Sequence, residues 1–124
     1  SFIERNTLIN TSIVIADSAS PVSIKNNNFI GDSHVFFHCS NSPVYVERNS
    51  FLTKETTVIK LPDYCNVSNM QISNNYWGTD DKKIIDGMIF DSKDYFGIST
   101  TIDYMPILNE ADVNTPDPTK YLSQ

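Results

Sequence analysis

Carboxylates and imidazoles are the groups in this chain best suited to chemistry. Asp80 and Asp81 stand side by side. Carboxylate pairs serve glycoside hydrolysis when they face one substrate about 5 to 10 Å apart. Adjacent residues point apart, and Lys82-Lys83-Ile84-Ile85-Asp86-Gly87-Met88-Ile89 follows directly. Ile85, Met88 and Ile89 share a helical face there, so the pair is better placed to cap a helix and complement its dipole. Asp32, His34 and His38 could offer a base or metal ligands, with both histidines on one face of a regular strand. No third ligand follows at a metal-binding spacing, so no metal site is expected and the histidines read as partly exposed surface residues. P-loop, dinucleotide and Gly-x-Ser-x-Gly signatures are lacking.

A third set of groups suits sugar binding. Glu4, Lys25 and Glu47 fall in one column, Arg5, Asn26 and Arg48 in the next, and Phe2, Ser23, Tyr45 and Gln71 beside them. The alternating charges predict an ion-pair ladder between strands about 5 Å apart. Aromatic, guanidinium and amide groups together can bind a sugar, which makes Tyr45, Arg5, Arg48, Lys25 and Glu47 the candidate carbohydrate-facing residues.

These columns come from a phrase that recurs four times: Ile3-Glu4-Arg5-Asn6-Thr7-Leu8, Ile24-Lys25-Asn26-Asn27-Asn28-Phe29, Val46-Glu47-Arg48-Asn49-Ser50-Phe51 and Ile72-Ser73-Asn74-Asn75-Tyr76-Trp77. From Ile3 to Ile24, Val46 and Ile72 the steps are 21, 22 and 26 residues. A period just above twenty, carried by strand-type residues and Asn, predicts a solenoid of stacked coils. Val22, Val44 and Met70 precede the β-branched column by two, the alternation of a strand with one buried face. Asn6, Asn27, Asn49 and Asn75 stand where the chain must turn. There Asn tolerates left-handed backbone and can bond the Asn of the next coil. Leu8, Phe29, Phe51 and Trp77 then point inward. A second strand follows at Ser12–Ile15, His34–Phe37 and Thr57–Leu61, with Ser20-Pro21, Ser42-Pro43 and Ser68-Asn69 at the corner before the next coil. The third coil is longer by four residues around Asp63-Tyr64-Cys65-Asn66, an outward loop.

With 124 residues, 40% hydrophobic and a net charge of −6, the chain fits one domain and disfavours nucleic acid or an anionic membrane as partner. No apolar run approaches a membrane span, and the start inside a strand pattern suggests a fragment or processed chain. Cys39 and Cys65 read as small apolar side chains in or near the core. Lying one coil apart, they leave an inter-coil disulfide open. The sequons at Asn10 and Asn66 carry little weight in an Asn-rich chain.

The coil columns resemble the right-handed parallel β-helix of the pectate-lyase-like superfamily, and their scarce Leu disfavours a leucine-rich-repeat horseshoe of similar period. Residues 70–108 add a closer likeness. Asn74-Asn75-Tyr76-Trp77-Gly78-Thr79, then Ile85, Ile89 and Asp91, then Ile102-Asp103-Tyr104-Met105-Pro106 are similar to the closing segment of many bacterial and archaeal extracellular β-helix proteins. This resemblance implies an all-β fold of three to four right-handed coils (1–77), a C-terminal cap with a short helix (78–108) and a loose tail or linker (109–124). Trp77 would plug the open end, Gly78 would allow the sharp turn after it, and Ile102 to Leu108 would return as a last strand. The paired-Asp and Gly-His motifs of polygalacturonase-like enzymes and the calcium-binding Asp cluster of pectate lyases are missing, so no cofactor is expected and calcium has no support.

The resemblance implies an extracellular or cell-surface scaffold, non-catalytic by itself, whose partners are a polysaccharide or cell-surface glycan and preceding coils of a longer chain. Two alternatives stay open. One is the tail of a lyase, glycosidase or epimerase whose active site lies in N-terminal coils. The other is an oligomeric phage tail-spike receptor-binding module.

Overall fold

The structure, a computed structural model, describes residues 1–16, 21–39, 43–53 and 56–122. Its strands are short, mostly parallel and stacked by repeat. One sheet holds β1 (Phe2–Glu4), β4 (Val22–Lys25) and β7 (Val44–Glu47), and a second holds β2 (Thr7–Ile9), β5 (Asn28–Ile30) and β8 (Ser50–Leu52). A third runs β3 (Ser12–Ile15), β6 (His34–Phe37), β9 (Ile59–Lys60) and β11 (Ile89–Phe90), while β10 (Met70–Gln71) pairs with β12 (Ile102–Asp103). Every pairing among the described residues is parallel, and the register follows the sequence columns: Ile3 faces Ile24, Ile24 faces Val46, and Leu8, Phe29 and Phe51 line up. All-β architecture with mostly parallel strands in stacked sheets is therefore the fold, compatible with a parallel β-helix.

Among the described residues each of the first three repeats carries three strands where two were expected. The extra element is the three-residue strand after the Asn column, too short to show a period of two. Pro21 and Pro43 directly precede β4 and β7, at strand entry where a missing N–H is tolerated, and the Pro43 carbonyl accepts from Val22 N–H at 3.1 Å. Ser20 and Ser42, expected at the same corner, lie outside the described residues.

The bend between the first and second strands also differs from expectation. The left-handed residue is the one before the Asn column: Arg5, Asn26, Arg48 and Asn74 have φ of 57°, 56°, 59° and 64°. That bend leaves the following Asn free to point inward. Asn27, Asn49 and Asn75 are fully buried. Each Oδ1 accepts both the backbone N–H and the Nδ2 of the preceding Asn. These distances are 2.9 and 3.2 Å for Asn6 on Asn27, 3.0 and 3.1 Å for Asn27 on Asn49, and 3.0 and 3.1 Å for Asn49 on Asn75. Buried amides are stable only when so satisfied.

Beside this ladder runs an aromatic stack. Phe29 and Phe51 centroids are 5.1 Å apart, Phe51 and Trp77 4.5 Å, and Trp77 meets Tyr104 edge-on at 5.9 Å. Full burial of a side chain such as Phe51 contributes about 1.5 to 3 kcal/mol. Beyond Trp77, α1 (Lys82–Gly87) starts on Asp81, whose carboxylate accepts the Lys83 N–H at 2.9 Å. The helix ends at Gly87, and Ile89, expected on its apolar face, instead enters β11 opposite Ile59. The returning strand is shorter than Ile102–Leu108. After β12 the backbone still follows the fourth repeat, with Asn74 N–H on Pro106 O at 2.7 Å and Leu108 N–H on Asn75 O at 2.9 Å.

The cysteines and the C-terminal segment both contact the repeats. Cys39 and Cys65 do pack with the core, but they are joined in a disulfide, with Cα atoms 5.4 Å apart. Stacking brings the turn after β6 against the long third-repeat loop, which sequence spacing alone left open. The segment expected as a tail or linker touches the repeats at Asp112, Thr115 and Pro116. Asp112 Oδ1 accepts from Asn26 Nδ2 at 2.9 Å, Thr115 Oγ1 donates to Arg48 O at 3.0 Å, and Pro116 O accepts from Asn28 Nδ2 at 2.8 Å, before α2 (Thr119–Leu122).

Candidate functional site

The outward face of the first sheet carries the sugar-facing candidates. In β4 the strand period sends Val22 and Ile24 into the core and Ser23 and Lys25 outward. Register then places Phe2, Ser23 and Tyr45 in one row and Glu4, Lys25 and Glu47 in the next. A groove of about 470 Å³ lies over these rows, lined by Ser1, Phe2, Pro21, Ser23, Lys25, Tyr45 and Glu47. Its size is that of a small-ligand cleft. Phe2 is 77% exposed and Tyr45 55%, whereas Ser23 between them is 8% exposed. Among the described residues the Ser23 Oγ, itself closed to solvent, has no hydrogen-bond partner. A buried hydroxyl left unpaired in a groove floor is uncommon in folded proteins, because it has given up water for nothing.

Lys25 Nζ meets Glu47 Oε1 at 3.0 Å, so the expected charge ladder closes at this pair, with both side chains about one-third exposed. Gln71 lies beyond Tyr45 in a shallower depression of about 150 Å³ that Glu47, Ser73 and Asn74 also line. Its amide donates to Met105 O at 2.8 Å and to Ser73 Oγ. Arg5 and Arg48 sit at the left-handed corner after the strand rather than on its outer face. Arg48 is further engaged by the C-terminal segment, with its Nε 4.0 Å from Asp112.

The imidazole and carboxylate candidates are committed elsewhere. His34 Nε2 lies 2.6 Å from Asp32 Oδ1, and its Nδ1 lies 2.6 Å from Thr57 O, so neither ring nitrogen is open to a ligand. His38 is exposed, and Asp81 caps α1. Among the described residues no group of three His, Cys, Asp or Glu could hold a metal ion. The buried Asp91 accepts the Ile102 N–H at 2.8 Å and the Lys93 N–H at 3.0 Å, which pins β12 to the turn after β11.

Sequence reasoning named Phe2 and Ser23 as neighbours of the sugar-facing set without assigning them a role, and it passed over a second aromatic cluster. Tyr64, Tyr95 and Phe96 meet where the third-repeat loop touches the turn after β11, with the two phenol oxygens 3.3 Å apart. That hydrogen bond, then burial and the charge of Asp63, raise the Tyr95 pKa above the usual phenol range. Tyr104 is pushed up to about 12 by burial first, then by its hydrogen bond to Asp86 and the charges of Asp86 and Asp103. Compared with protein-family models, curated proteins and solved structures, the chain matches none of them.

Proposed function

We propose that this chain is the C-terminal scaffold part of an extracellular, carbohydrate-associated right-handed parallel β-helix protein. By itself it is non-catalytic and presents the first-sheet face to a polysaccharide or cell-surface glycan. The handedness rests on the strong general preference of parallel crossover connections for the right-handed form. The extracellular placement rests on the Cys39–Cys65 disulfide, since such bonds persist in oxidising compartments. No described helix is long and apolar enough to cross a membrane.

One observation carries the glycan reading: two exposed aromatic rings, Phe2 and Tyr45, stand in register on either side of an unpaired, buried serine hydroxyl. Aromatic faces stack on the C–H faces of sugars, and a buried hydroxyl supplies direction. The test is a glycan-array screen followed by titration of hits against the wild-type chain and Tyr45→Ala. Binding lost in the variant supports the reading, and a chain that binds no glycan refutes it.

A second reading, the tail of a lyase, glycosidase or epimerase, draws on β1, β2 and β3. They are sheet edges, with Ile3, Leu8 and Ile13 only partly covered. Uncovered parallel edges favour further stacked coils, whether in cis or from another molecule. Activity in a longer parent chain that these residues lack would favour it.

A further inference from the structure

We infer that the groove between Phe2 and Tyr45 takes one neutral pyranose unit, held edge-on between the two rings, with Ser23 Oγ as its buried hydrogen-bond partner. This inference rests on the glycan reading above and adds the class of sugar and the residue that selects it. Three observations carry it.

Width comes first. Strands in a sheet stand about 4.7 to 4.9 Å apart, so Phe2 and Tyr45, two steps apart across Ser23, spring from the face about 9.5 Å from each other. A flat ring in contact with both walls at the optimal carbon separation of about 3.5 to 4.0 Å would fill only about 7 to 8 Å. A puckered saccharide ring, with hydrogens projecting from both faces, fills the remainder.

Charge comes second. Lys25 is the groove's cationic side chain and Glu47 matches it at 3.0 Å, while the Ser1 amino group, which also lines the groove, donates to Pro21 O at 2.9 Å. Glu4 stands on the other side of Lys25 in register, and the chain as a whole carries −6. A uronate or sulfated sugar entering here meets a neutralised lysine inside a negative field, which disfavours it. A neutral sugar has no such penalty.

The third is the floor. Ser23 lines the groove but is 8% exposed, and its hydroxyl, unpartnered among the described residues, is closed to solvent until it rotates about χ1. A sugar hydroxyl reaching the floor would supply the missing bond. Such a bond, made away from water, discriminates strongly against a ligand that cannot make it.

The experiment is a titration of the chain, followed by NMR shifts and calorimetry. Neutral hexose oligosaccharides (gluco-, manno- and galacto-configured) are compared with oligogalacturonate of the same length. At least one neutral oligosaccharide is expected to bind, with oligogalacturonate tenfold or more weaker, and weaker still as salt is lowered and repulsion is unscreened. Ser23→Ala is expected to weaken the neutral sugar about tenfold without lowering the melting temperature, because it removes a hydroxyl that has no partner. Tyr45→Ala is expected to abolish detectable binding. Oligogalacturonate binding as tightly as any neutral sugar overturns the inference and leaves the glycan reading standing. Neutral binding indifferent to both substitutions also overturns it, since the sugar then sits elsewhere. Failure of every oligosaccharide to bind overturns the glycan reading itself.

Discussion

Asn49→Ala tests whether the ladder of amides holds the repeats together. Asn49 is fully buried and its side chain makes five hydrogen bonds. Its Oδ1 accepts from Asn27 N and Nδ2, and its Nδ2 donates to Ile24 O, Glu47 O and Asn75 Oδ1. In the variant the Asn27 side chain keeps Ile3 O, and Asn75 Oδ1 keeps the Asn49 backbone N–H. The Asn27 backbone N–H loses its acceptor in an interior closed to water, at a cost of about 1 to 3 kcal/mol. The other lost bonds and the missing amide volume bring the total to about 3 to 4 kcal/mol. For a chain of this size that is a large share of a stability of roughly 5 to 15 kcal/mol, and it lowers Tm by roughly 10 to 15 °C.

Asn6→Ala is the internal control. Asn6 holds the same column but is exposed, so water replaces its bonds and the expected cost is under about 1 kcal/mol. Urea unfolding followed by far-UV circular dichroism, and by fluorescence of the single buried tryptophan, measures both. Equal losses at the two positions would refute the reasoning. Asn49→Asp sharpens the test, because a carboxylate would face Ile24 O, Glu47 O and Asn75 Oδ1. Its folded pKa is then raised, and the variant should be least stable at neutral pH and recover as pH falls and the group protonates.

Trp77→Ala should cost about 3 to 5 kcal/mol, read by circular dichroism, because it removes the ring between Phe51 and Tyr104. An unchanged melting curve would show that Trp77 is not the cap plug. Reducing the Cys39–Cys65 disulfide, which closes a 26-residue separation, should lower stability by about 3 to 4 kcal/mol on the chain-entropy account, measured as the shift in urea midpoint with and without reductant. Alkaline titration should expose Tyr104. Its folded pKa of about 12 lies above the ordinary phenol value of 10.0, so its contribution is full below pH 10 and is lost as pH rises toward 12. Tyr104→Phe, compared with wild type in a pH series of thermal melts, should flatten that decline.

Much of the fold was legible because it is periodic. Parallel stacking forces the same side-chain environment to recur, so Ile24 and Val46, Phe29 and Phe51, and the Asn column appear at steps of about one repeat and pair in that register. A helix cap at Asp80 or Asp81 and an inward Trp77 were also legible, since each follows from its immediate neighbours and residue type, and the structure puts the cap on Asp81 and buries Trp77. The three-residue strands were not, because Thr7-Leu8-Ile9 is too brief to display alternation. Nor was the left-handed bend at Arg5 and Arg48, where residue type gives no hint and the inward demand of the following Asn decides.

The candidate site divides in the same way. The sequence by itself determined which residues share the outer face, since strand period and repeat length together assign Phe2, Ser23 and Tyr45 to one row and Glu4, Lys25 and Glu47 to the next. Only the tertiary structure decided that Lys25 chooses Glu47, that Ser23 keeps an unpaired hydroxyl, that Cys39 bonds Cys65, and that Asp112 and Thr115 return to the corner at Asn26 and Arg48. Columns follow from local backbone geometry, which a chain carries in its own periodicity. Partners depend on distances between side chains twenty to ninety residues apart, and those distances exist only once the repeats have stacked.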